Sequence, residues 1–318
     1  MHIPDGFLDA KTAVATTALS VAGVSFALHR VRHTLPPKKV PLLGLSAAFL
    51  FAAQMVNFPV FGGTSGHLIG SVLVAALLGP AAAVVVVTTV LIVQCLVFAD
   101  GGITALGANV FNMGLTATIV GSSVFALLTR VLPGRRGQVT AIAFAGWFAT
   151  VLAAIACAGE LAASGTIGWR VAFPAMTGIH AIIGLGEGAL SAVVYMAVVR
   201  TRPDLAPIRS VPAASSSFPD FVGLGLLVTL GIVLFVAPFA SPWPDGLEAV
   251  ASRLGFSHRA GTPLVAAPVA DYHLPFLGAS RVSVAVAGLI GCVTVFGLAL
   301  LLSRALVAKH DSAADSAS

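Results

Sequence analysis

Between Val40 and Ala99 the chain carries no Asp, Glu, Lys or Arg. A water-facing surface cannot be built from such a stretch. The same bias runs through the whole chain: 58% of its 318 residues are hydrophobic and 9% are charged, against about 25% charged in a soluble domain. The mean hydropathy is +1.00. Repeated apolar runs of this length predict membrane-spanning helices, not barrel strands. The expected fold is all-α, a polytopic membrane protein of nine transmembrane helices at 10–29, 40–58, 67–79, 81–99, 103–129, 138–162, 173–199, 218–240 and 281–303. The third run is short for a hydrocarbon core of about 30 Å at 1.5 Å rise per residue. It has to tilt, or its Gly-rich approach has to lie inside the protein.

The basic residues give an orientation. With the N-terminus outside, 12 of the 17 Lys and Arg residues fall on inside segments and five on outside ones. That asymmetry predicts the N-terminus outside and the C-terminus inside, in a cytoplasmic membrane. It also explains the net charge of +5 as a topology signal, so no nucleic-acid partner is expected. Two blocks follow from the loops. Residues 1–205 hold seven spans on short connections. Residues 206–217, rich in Pro, Ser and Ala, read as a linker. Residues 218–318 hold two spans around an outside loop, 241–280, and a polar tail expected to be disordered. Cys95, Cys157 and Cys292 each sit in an apolar run without a CxxC pair, so neither a disulfide framework nor a thiolate metal site is expected. The first basic residue is Lys11 and the apolar run follows it, so that run reads as a permanent span and not a cleaved signal.

The chain starts "MHIPDG". The α-amine of Met1, the amide of His2 and the imidazole Nδ1 of His2 close one five-membered and one six-membered ring on a metal. Three roughly coplanar nitrogens favour Ni(II) or Cu(II). Binding releases protons, because each of these groups gives one up. Histidine is a large second residue, so Met1 is expected to be retained. The fourth ligand is expected from "GGTSGH", whose His67 falls on the same outside face. Its glycines let the backbone enter the membrane region, where non-helical chain must be buried in protein.

These residues carry a family resemblance. "MHIPDGFL", "GGTSGHLIG", "DGGITALGANVFNMG" and "GLGEGAL" resemble the substrate-binding M component of energy-coupling-factor transporters for nickel and cobalt. "PWPDGLEAVA" is similar to the small two-span N component. The resemblance spans nearly the whole chain and implies a natural M–N fusion. It implies that Met1, His2 and His67 bind the ion as transported substrate, Ni2+ ahead of Co2+. It implies a transmembrane coupling protein and ATPase subunits as partners, besides membrane lipid. The chain has no GxxxxGK[ST] phosphate loop, so ATP is expected to be hydrolysed elsewhere.

A ligating histidine usually donates its other ring N–H to an oxygen. Thr64, Ser65, Asp100, Asn109 and Asn112 are the candidates to orient His2 or His67; the alternative for each is helix capping or interhelical hydrogen bonding. Glu187 is the clearest intramembrane charge, expected to pair with a residue such as His180 two turns earlier or to stand as a neutral, hydrogen-bonded structural acid. Glu160 is expected at an interface and Asp5 as the cap of the turn after Pro4. Asp245 and Glu248 are expected to dock the 241–280 loop near the N-terminal site. A metalloenzyme needs an open coordination position, which a four-nitrogen plane does not leave, so no enzyme is expected. A proton-driven transporter needs a relay of intramembrane acids, and Glu187 stands nearly alone. An ion channel fits least, because so complete a chelate releases too slowly for conduction.

Overall fold

Helix α1 (Ala10–Thr34) starts where Asp9 caps it, the carboxylate accepting the Thr12 N–H at 2.9 Å. In this computed structural model residues 1–205 and 217–314 are described, with side chains of the last helix through Leu306. The further helices are α2 (Val40–Met55), α3 (Ser71–Leu78), α4 (Pro80–Phe98), α5 (Leu106–Val131), α6 (Gly134–Ala163), α7 (Trp169–Thr201), α8 (Phe218–Phe239), α9 (Gly246–Arg253) and α10 (Arg281–Ala314). A π-helical turn at Val110–Thr116 interrupts α5. Among the described residues, seven helices are long and apolar enough to cross a membrane: α1, α4, α5, α6, α7, α8 and α10. The chain is a multi-pass membrane protein.

Helices stand at all nine expected places, but two are shorter than the sequence pattern suggests. Helix α2 has 16 residues and α3 has 8, reaching roughly 24 and 12 Å at 1.5 Å per residue. The expected second run, to 58, ends at Met55, and the third starts at Ser71 instead of His67. The reason is local. Phe58–Val60 (β1) pairs antiparallel with Thr64–Gly66 (β2), Phe58 opposite Gly66. Gly70 then takes φ 71°, a left-handed conformation that stops helix from reaching back to His67. The chain between α2 and α3 therefore enters the protein as hairpin and extended backbone. Residues 206–216 of the expected linker lie outside the described residues. The tail, expected to be disordered, continues as helix to Ala314.

Most of α2 is buried, enclosed by α4 on one side and by α8 and α10 on the other. Helices α6 and α7 run against each other along their length. At their crossing, a Cβ on Gly188 would lie 2.4 Å from the Ala143 carbonyl oxygen, so only glycine permits the approach. Helix α9 opens with a capping box: the Asp245 carboxylate accepts the Leu247 and Glu248 N–H groups, while Glu248 accepts the Asp245 N–H. The segment leading to it lies along β2. Ser65 N–H donates to the Pro244 carbonyl at 2.8 Å and the Ser65 hydroxyl to the Trp243 carbonyl at 2.7 Å.

Candidate metal centre

The first residues thread into the bundle instead of fraying. Met1, Ile3 and Phe7 are all buried. Asn109 on α5 brackets the Ile3 peptide: Ile3 N–H donates to Asn109 Oδ1 at 2.8 Å and Asn109 Nδ2 donates to the Ile3 carbonyl at 3.1 Å. Gly102 N–H donates to the same carbonyl at 2.9 Å. A Cβ at Gly102 would lie 2.1 Å from Asp5 N, so a larger residue would push the N-terminal segment away. Asp5 does not simply cap its own turn. Its Oδ1 accepts the Thr104 N–H at 2.8 Å and the Thr104 hydroxyl at 2.6 Å, tying the segment to the loop before α5.

This threading brings Met1, His2 and His67 together. The Met1 amine is 2.9 Å from His67 Nε2 and 2.6 Å from Asp245 Oδ2. The His2 and His67 rings stack with centroids 5.3 Å apart. Ligand atoms of His2, His67 and Asp245 lie within 4.8 Å of one another. His67 Nδ1 faces the Leu68 carbonyl at 3.4 Å, which leaves Nε2 turned to the amine. His2 Nδ1, the nitrogen that a chelate with the Met1 amine needs, is 3.1 Å from Asp100 Oδ1, and its Nε2 is 3.2 Å from Gln94 Oε1. A metal taken up by that nitrogen would displace Asp100.

Burial lowers the His2 imidazole pKa by more than the neighbouring Asp100 carboxylate raises it, so the ring is neutral at pH 7 and able to ligate. Burial would raise the Asp245 carboxyl. The Met1 ammonium, through its charge and its hydrogen bond, together with the Glu248 N–H outweighs it and holds Asp245 well below the usual carboxylate range. The Tyr272 phenol is raised, by burial first and then by Asp100. It stays protonated and donates to Asp100 Oδ2 at 2.6 Å.

The other expected residues divide. Asp100 contacts His2 directly, and Asn109 holds the backbone that carries it. Thr64 and Ser65 reach neither histidine. Ser65 binds the Trp243–Pro244 carbonyls, and Arg253 donates to Thr64 Oγ1 at 3.4 Å. Asn112 points elsewhere, its amide donating to Glu160 at 2.7 Å. The π-helical turn shifts it off the face that Asn109 uses. Glu160, expected at an interface, is buried. Glu187 does not pair with His180. Its carboxylate accepts the Ile69 and Gly70 N–H groups at 2.5 and 2.9 Å, clamping the backbone just after His67. His180 Nδ1 faces the Met176 carbonyl at 2.8 Å, and the ring lines a small cavity shared with Met1, His67 and Asp245. Gln94 and Tyr272 were not singled out by the sequence. The signal for Gln94 is an amide alone in the apolar run "VLIVQCLVF". Tyr272 carries no such local signal.

A family model for the cobalt uptake substrate-specific transmembrane region, CbiM, matches residues 2–205. The chain belongs to the CbiM family. A PDGLE domain model matches residues 219–308, so Asp245 and Tyr272 come from the PDGLE region while His2, His67, Gln94 and Asp100 come from the CbiM region. Some relatives are matched over both parts and others over the CbiM part alone. A fused NikMN sequence of Archaeoglobus fulgidus, named for nickel transport, is 36% identical over 306 residues, covering 96% of this chain and 98% of its own. The fused nickel transport protein NikMN of Rhodobacter capsulatus is 34% identical, covering 85% of this chain and 82% of its own. The cobalt transport protein CbiM of Geobacter sulfurreducens is 31% identical, covering 81% and 78%. A crystal structure of a transition metal transporter superposes with a TM-score of 0.58 at 34% identity, over 63% of this chain and 93% of that one.

Proposed function

We propose that this CbiM-family chain is the substrate-specificity subunit of an ATP-driven energy-coupling-factor importer. It captures Ni2+ at the N-terminal nitrogen site and delivers it across the cytoplasmic membrane. The observation that carries this reading is the convergence of the Met1 amine, His2 and His67 in a buried place. Amine, amide and two imidazoles form the four-nitrogen set that a d8 ion accepts in a plane. Such a site leaves no open position for substrate chemistry, which supports a carrier and not an enzyme. ATP is hydrolysed by separate ATPase subunits joined through a transmembrane coupling protein. Residues 1–205 hold the ion, and residues 218–318 cover the site with the loop 241–280 on the outside face.

Co2+ is the second reading, because relatives are named for cobalt as well as nickel and the nitrogen donors suit both. The test is Ni2+ and Co2+ binding to the purified full chain beside His67→Ala. Loss of one imidazole is expected to weaken binding by about 100-fold or more. The ratio of the two affinities then names the cargo. Equal binding by both proteins removes His67 from the site and overturns the reading. Uptake that persists without ATPase subunits favours a proton-driven carrier instead.

A further inference from the structure

The donors that stand ready around the N-terminus are not the four nitrogens alone. The Met1 amine is engaged with Asp245 and His67, and His2 Nδ1 is engaged with Asp100. What is already gathered within 4.8 Å is one carboxylate oxygen and one nitrogen from each of two imidazoles, those of Asp245, His2 and His67. An oxygen and two imidazole nitrogens are ordinary ligands for a divalent first-row ion. They can replace water on a hydrated ion without first removing an amide proton.

These donors also have an entrance. A cavity of about 680 Å³ opens onto His2, His67 and Asp245. Among the described residues its wall carries the carboxylates Asp100, Asp245, Glu248 and Asp271 and no Lys or Arg, with Asp245 alone of them paired to the Met1 ammonium. A cleft lined by one sign of charge concentrates the opposite ion. The basic residue nearest in sequence to α9's cap, Arg253, is turned away onto Gly62 and Thr64 of the hairpin. The cavity therefore favours a cation, and Asp245 is the carboxylate of its wall that is gathered with His2 and His67.

We infer that Asp245 is the first protein ligand of the entering ion, holding it with His2 and His67 before the four-nitrogen site closes. This rests on the N-terminal reading above and adds a ligand from the two-span part of the chain. Ligation through Asp245 takes the carboxylate from the Met1 amine and so frees the amine for the metal. The carboxylate that steers the ion is thus also the one whose departure completes the final site.

Asp245→Asn isolates this role. Asparagine caps a helix about as well as aspartate, so α9 keeps its start while the anionic ligand is lost. Glu248→Gln is the control, because glutamine also completes a capping box and the change removes one wall charge without touching the donor set. The measurement is stopped-flow association of Ni2+, and of Co2+ by its visible absorption, with the full chain. Asp245→Asn is expected to slow association by about tenfold or more, and Glu248→Gln by less than about threefold. An unchanged rate overturns the inference. A faster rate also overturns it, since Asp245 then only competes with metal for Met1. Equal slowing by both variants overturns it too, leaving a field effect without ligation. The N-terminal reading fails separately, if His67→Ala binds like the unaltered chain.

Discussion

The side chain of Asn109 holds the Ile3 peptide from both ends, accepting its N–H at 2.8 Å and donating to its carbonyl at 3.1 Å. One amide on a membrane helix thus replaces the strand pairing that an extended N-terminal segment otherwise lacks. Asn109→Ala leaves the buried Ile3 N–H without its partner, while the carbonyl keeps the Gly102 N–H, a loss of about 1–3 kcal/mol. Expressed at the metal site, that is roughly a 5- to 150-fold weaker affinity. Calorimetric titration with Ni2+ checks it, and an unchanged affinity means that the segment is held without Asn109.

Glu187 does for His67 what Asn109 does for His2. Its two carboxylate oxygens take the Ile69 and Gly70 N–H groups. In Glu187→Gln one of those oxygens becomes an NH2 group facing a backbone donor. The expected result is a loss of about 1–3 kcal/mol in stability and a lower melting temperature, with metal affinity reduced as His67 loosens. Thermal unfolding with and without Ni2+ separates the two effects. Glu187→Ala is expected to be worse, because both donors are stranded in a buried place.

Tyr272 steadies Asp100, and Asp100 faces His2. Tyr272→Phe removes the donor and keeps the ring that stacks on Phe98. The same hydroxyl accepts from Gln94, whose Oε1 faces His2 Nε2, the ring nitrogen the chelate does not use. Outer partners of that kind typically matter by 10- to 100-fold, so a drop of about tenfold in affinity is expected with the fold intact. Circular dichroism beside the binding titration distinguishes this from unfolding.

Acid opposes binding. The His2 imidazole is already neutral near pH 7, its pKa lowered by burial. At the proposed site the protons displaced would come from the Met1 amine and the His2 amide. Affinity is expected to rise with pH between about 6 and 8, by about tenfold per pH unit for each proton displaced. Titrations in buffers of different ionisation enthalpy count the protons. A pH-independent affinity contradicts an amine and amide among the ligands.

Much of this was legible in the sequence, and the rest was not for definite reasons. The membrane helices follow from apolar runs, which stay apolar whatever they pack against. The meeting of Met1, His2 and His67 follows from placing both segments on one face of the membrane. What periodicity could not reveal is where it breaks. Asn109 and Asn112 are three residues apart and share a face on a regular α-helix. The π-helical turn at Val110–Thr116 sends Asn112 to Glu160 instead. Ser65 stands two residues from His67 yet binds the Trp243–Pro244 carbonyls, because the hairpin gives that edge to the 241–245 segment. Asp245, expected near the N-terminal site, does meet Met1, but Gln94 and Tyr272 reach the site unannounced, across 92 and 172 residues, to His2 and Asp100. Contacts at such separations depend on how the blocks pack, which no local pattern encodes.

The most direct measurement adds one residue before Met1 and compares Ni2+ and Co2+ binding with that of the unextended chain. The extension turns the Met1 amine into an amide and moves the free amine one residue away, while every side chain stays in place. Binding is expected to collapse by about 100-fold or more, with a Ni2+ spectrum no longer that of a four-nitrogen plane. Equal affinity and an unchanged spectrum contradict the N-terminal site.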